Sequence, residues 1–163
     1  MSRYFRYLTL LCVLSLALLT GCAVHLIMDY DPVLDQSISA VQASTEQFLG
    51  QLDAEVGTPA AAYSNNQSFY VTTDAQLRTL ATRAQSEPKS KIVVQQVTEL
   101  EASFTDMQKL HQLDGDKGLG HLEITTVRSG LENEFVSMLT LQLALKNRLS
   151  TPATAAMAPT VTQ

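Results

Sequence analysis

The sequence predicts an all-α protein, an elongated antiparallel four-helix bundle. Two observations carry that prediction. Apolar residues recur at alternating spacings of four and three in successive segments, the signature of helices with one apolar seam. The breaks between those segments are short and rich in Gly, Pro and Ser, which favours antiparallel neighbours sharing one apolar centre. The β-branched group Ile92-Val93-Val94 hints at a strand, but it is too short to outweigh the periodic residues around it.

The first element is not part of the bundle. Arg3 and Arg6 precede an apolar run from Leu8 to Leu19, and the small pair Thr20-Gly21 follows. This order describes a secretory signal helix over residues 1–21, and the run falls short of the roughly 20 apolar residues that a bilayer crossing needs. The next four letters sharpen that reading. Leu19-Thr20-Gly21-Cys22 resembles the lipobox of bacterial lipoproteins. The resemblance implies diacylation of the Cys22 thiol, cleavage just before it and, usually, acylation of the new amino group. Because Ala23 rather than Asp follows the cysteine, it also implies an outer-membrane lipoprotein facing the periplasm, in a host with two membranes. Cys12 reads as a buried cysteine in the apolar run.

Residues 22–30 form a lipid-anchored linker, whose apolar side chains either rest on the membrane or fold back onto the domain. The bundle domain is expected over 31–149. Asp31-Pro32 opens the first helix as N-cap and first helical residue, and Leu34, Ile38, Val41, Thr45, Phe48 and Leu52 form its seam until Gly57 stops it. Thr58-Pro59 starts the second segment by the same logic. Its seam is Tyr63, Tyr70, Leu77, Leu80 and Ala84, and the polar patch Ser64 to Ser68 weakens helix propensity enough that a loop up to Thr73-Asp74 is the alternative. Pro88 suits the start of the third helix, with Ser86 or Glu87 as cap, and Val93, Val97, Leu100, Phe104, Met107 and His111 as seam.

The stretch Asp114 to Gly120 is a loop. The last helix then runs from His121 to Leu149. Ile124, Val127, Leu131, Phe135, Met138, Leu145 and Leu149 line it, Leu139, Leu141 and Leu143 broaden it, and Gly130 marks a close helix approach or a mild kink. Residues 150–163 hold two prolines and no charged side chain, and read as a disordered tail projecting from the membrane-distal end.

Composition limits function. The chain carries a net charge of −5, and its leader holds two of the eleven basic residues and none of the sixteen acidic ones, so the mature domain is more acidic still. That argues against nucleic acid and against docking on anionic lipid, and leaves attachment to the acyl chains. With Cys22 acylated, no thiol remains for a disulfide or a nucleophile.

No motif announces chemistry. The Asp114–Gly118 stretch is reminiscent of a calcium loop, but Leu119 stands where an EF-hand wants Gly and Thr125 where it wants Glu, so a flexible acidic turn is expected. His111 and His121 flank that loop and, with Asp114, Asp116 or Glu123, are the candidate metal ligands. Their spacing selects no such site, and no metal or other cofactor is expected. Glu132 and Glu134 fall on different helix faces, and Asp29, Asp31 and Asp35 read as charge at a helix start. Tyr63 to Tyr70 is either a surface for a partner or glycan, or an exposed turn whose aromatics pack inward.

The stretches beginning Tyr30-Asp31-Pro32 and Phe135-Val136-Ser137 are similar to segments of small, uncharacterised proteobacterial lipoproteins, a resemblance that implies a helical lipoprotein and transfers no catalytic residue. The expected function is therefore a non-enzymatic, lipid-anchored envelope protein that binds another protein or supports the envelope. An exclusion or immunity lipoprotein carried by a mobile element and a small-ligand or peptidoglycan-related binder are the alternatives.

Overall fold

A computed structural model describes residues 27–150; the expected signal segment over 1–21, Cys22 and residues 151–163 of the expected tail lie outside the described residues, while Ser150, expected to begin that tail, ends the last helix. Four helices make up the domain: α1 Pro32–Ala54, α2 Tyr63–Ser86, α3 Lys91–Asp114 and α4 His121–Ser150. Each packs on its neighbours in chain order and α4 closes the ring against α1, giving an all-α four-helix bundle. At 1.5 Å per residue its helices are about 35–45 Å long.

The four-and-three seams form the core. All six seam residues named for α1 are buried, as are all six for α3; apart from the polar Thr45 and His111 they join Leu77, Leu80, Ile124, Leu131 and Phe135 in one apolar cluster. Ile92, Val93 and Val94 are helical, their weak strand preference overridden by the buried face of which Val93 is part. Asp31 caps α1, its carboxylate accepting from the N–H groups of Val33 and Leu34.

The chain enters the bundle at one end. Ile27 and Tyr30 pack against the core, Met28 is fully buried, and its N–H donates to the Lys89 carbonyl of the α2–α3 turn. This part of the linker thus folds back onto the domain. The end of α4 is here too: Arg148 pairs with Asp29 at 3.8 Å, and Lys146 sits 5.7 Å above the Tyr30 ring. The expectation that the chain leaves from the end opposite its entry is therefore wrong, because an even number of antiparallel helices returns the chain to the end where it began.

Several boundaries also differ. α1 ends at Ala54, and Gly57 takes its left-handed conformation three residues later, within the turn. Thr58-Pro59 opens a short 3-10 turn, Pro59–Ala61, rather than α2 itself. Pro88 does not start α3: Glu87 before it is extended, as a residue preceding proline prefers, Lys89 turns through a positive φ, and the helix begins at Lys91. Gly130 is exposed with open space around it and α4 runs through it unbroken, so it marks no close approach.

Candidate functional site

The end opposite the entry carries the densest polar chemistry. Here the α1–α2 and α3–α4 connections meet. The second of these leaves α3 through Gly115 at φ 54°, makes a 3-10 turn over Gly115–Lys117 and passes Gly118 at φ 67°. Gly118 lies against the first connection so closely that a Cβ there would sit 2.2 Å from the Ala61 carbonyl oxygen. Glycine is required twice over, by backbone conformation and by the approach of two loops. Leu119 is then buried, and Glu123 reaches back to accept from the Gly120 N–H at 2.7 Å, the returning half of a capping box at the start of α4.

Beneath the loops lies a buried histidine. His111 is 0% exposed. Its Nε2 is 2.8 Å from the Ala61 carbonyl and its Nδ1 is 2.8 Å from the Tyr70 hydroxyl. A carbonyl can only accept, so Nε2 carries the proton, and Nδ1 accepts from Tyr70. Burial, then the neighbouring Tyr63, pushes the Tyr70 phenol well above its ordinary range, which keeps it a donor.

Around this pair is an aromatic cluster. Tyr63 packs edge-on to His111, Tyr70 lies edge-on to Phe48, and Phe48 stacks on Phe69 with ring centres 3.7 Å apart. The Tyr63 hydroxyl accepts from Gln108 and Gln112 of α3. With both His111 nitrogens occupied and the ring enclosed, the arrangement ties the first loop to α2 and α3 and presents no reacting atom to solvent.

The sequence-predicted candidates scatter. His121 turns outward to Asp53 at 2.7 Å on α1, so the two histidines are not brought together. Among the described residues no group of three or more His, Cys, Asp or Glu side chains converges for a metal. Asp114, Asp116 and Glu123 line an open cleft of about 780 Å³ between the loops, in which Glu123 is used by its cap.

Asp29, Asp31 and Asp35 each take a separate partner: Arg148, Arg83 and the Tyr30 hydroxyl. Glu134 is half-buried and accepts from Ser103 at 2.6 Å, while Glu132 is exposed. Tyr63 to Tyr70 is helical from its first residue, and its aromatics point into the core. The asparagines expected to weaken it secure the junction instead: Asn65 donates to the Pro59 carbonyl, and Asn66 to those of Ala60 and Ala62. Cys22 lies outside the described residues.

Sequence reasoning missed Gln142. It is 1% exposed and its Oε1 has no hydrogen-bond partner. The spacing signals it, since 135, 138, 142 and 145 continue the four-and-three pattern, but its polarity hides a seam position. Leu143 and Leu149, assigned to that face, are instead exposed.

These features define a helical bundle with a structural polar core at one end. No protein-family model, curated protein or solved structure matches the chain.

Proposed function

We propose that this is a lipid-anchored protein of the bacterial cell envelope, acylated on Cys22 and held at the periplasmic face of the outer membrane. The helical domain is a non-enzymatic rod that binds another protein or supports the envelope. One observation carries the proposal: the sequence Leu19-Thr20-Gly21-Cys22 directly after a basic and apolar leader. Two or three acyl chains anchor stably where one does not, since each buried methylene contributes about 0.8 kcal/mol. Among the described residues no helix is long and apolar enough to cross a membrane.

The non-enzymatic part of the proposal is supported by the use made of the polar groups. His111, Tyr70, Asp31 and Glu123 are each engaged in holding a turn or a helix end.

The test is metabolic labelling with a fatty acid followed by membrane fractionation. The native chain should take the label and sediment with outer membranes, and Cys22→Ala should lose both. Replacing Ala23 with Asp should move the labelled protein to the inner membrane. A Cys22→Ala chain that sediments unchanged would refute the anchor.

A further inference from the structure

Charge is distributed unevenly along the rod. The entry end holds Arg83, Lys89, Lys91, Lys146 and Arg148 against Asp29, Asp31, Asp35 and Glu87. The rest of the described chain has only four cations, Arg78, Lys109, Lys117 and Arg128, for the other twelve carboxylates. A molecule acidic on average is therefore slightly basic at one end and strongly acidic over the remainder.

At the entry end the carboxylates are largely engaged. Asp31 is buried under Arg83, Asp35 accepts from Tyr30, and Asp29 pairs with Arg148. Lys89 and Lys91, in contrast, are exposed around the α2–α3 turn, and the positive φ of Lys89 puts it at the turn's corner. Exposed apolar side chains share this end of the bundle with the cations. Val33, Ile92 and Leu149, each within a turn of its helix end, expose 47%, 46% and 65% of their surface. Basic and apolar side chains exposed at one end of the bundle match the two layers of an anionic membrane interface, headgroup and acyl boundary.

We infer that this end face, built from Lys89, Lys91, Ile92, Val33 and Leu149, docks on an anionic bilayer surface and sets the rod upright on it. The inference rests on the anchor proposed above for its geometry. Ile27 follows Cys22 by five residues, so a Cys22 held in the bilayer keeps the entry end within about 18 Å of it. The acidic remainder does not oppose docking. Ionic screening acts over about 8–10 Å, and helices of about 35–45 Å carry most carboxylates beyond that distance. The same carboxylates disfavour the rod lying flat.

The test uses the protein purified from cell membranes and reconstituted into vesicles of pure phosphatidylcholine or of phosphatidylcholine with a quarter phosphatidylglycerol. Amine-reactive labelling of each lysine is followed by mass spectrometry. Lys89 and Lys91 should label more slowly by about fivefold or more on the anionic vesicles, Lys109 and Lys117 should not change, and roughly 0.5 M salt should abolish the difference. Lys146, at the same end, should be protected together with Lys89 and Lys91 on the anionic vesicles of the native protein, and should lose that protection in a Lys89→Gln/Lys91→Gln variant.

Equal labelling on both vesicle types, or protection spread over all four lysines, would overturn the inference. The anchor has its own readout in the same samples, the mass of the Cys22 peptide. An unmodified cysteine beside protected Lys89 and Lys91 would therefore refute the anchor while leaving the docking face standing.

Discussion

Gly118 is where a single side chain tests the loop packing. A Cβ there meets the Ala61 carbonyl, and the φ of 67° is one that L-residues adopt at a cost. Gly118→Ala should destabilise the domain by about 3 kcal/mol in urea unfolding, whereas Ala at exposed Gly50, with nothing within reach of its Cβ, should not destabilise it. The buried dyad gives a second test. Tyr70→Phe keeps the ring packing but strips His111 Nδ1 of its donor, and should cost about 1–3 kcal/mol. That His111 belongs to the core was legible from its seam position. Its partners were not, because Ala61 and Tyr70 lie 50 and 41 residues away and local spacing carries no information about them.

At the scale of elements, α1 joins α2 through Asp31. The Arg83 guanidinium beside it, helped by the Val33 and Leu34 amides, holds its carboxyl below the usual carboxylate range despite burial. A carboxyl whose folded pKa is depressed contributes stability above its unfolded value, about 3.9, and that contribution disappears as pH falls through the folded value. Stability should therefore decline as the pH drops below about 4, and Asp31→Asn, which keeps the cap acceptor, should show a shallower decline in acid titrations of unfolding.

α4 offers the opposite kind of test. Gln142 buries a carbonyl oxygen without a partner, so Gln142→Met should raise stability by about 1 kcal/mol, and a loss would show that the amide is hydrogen-bonded by a water in the core. The four helices and most of their buried faces could be read from periodicity, because burial follows the 3.6-residue turn. Their ends were less legible. Pro88 suits a helix start by sequence yet makes a turn, and the asparagines after Tyr63, weak helix formers by propensity, hold carbonyls of the preceding turn.

For the whole molecule, net charge concealed the most informative feature. Averaged over the chain, acidity argues against any basic contact with lipid; in the folded bundle five cations gather where the chain enters, and twelve of the sixteen carboxylates stand away from it. Composition cannot reveal this, because it arises when helix ends distant in sequence, around Asp29, Lys89 and Arg148, come to one end. The same topology places both ends of α1 and α4 that adjoin the undescribed segments on one side of the domain. Lipid attachment at Cys22 underlies both the location and the docking proposed for the domain, and the intact mass of the protein extracted from membranes measures it directly. The prediction is a chain beginning at residue 22 and heavier than its sequence by a diacylglyceryl group with or without a further acyl chain; a chain of sequence mass beginning at Met1 would contradict it.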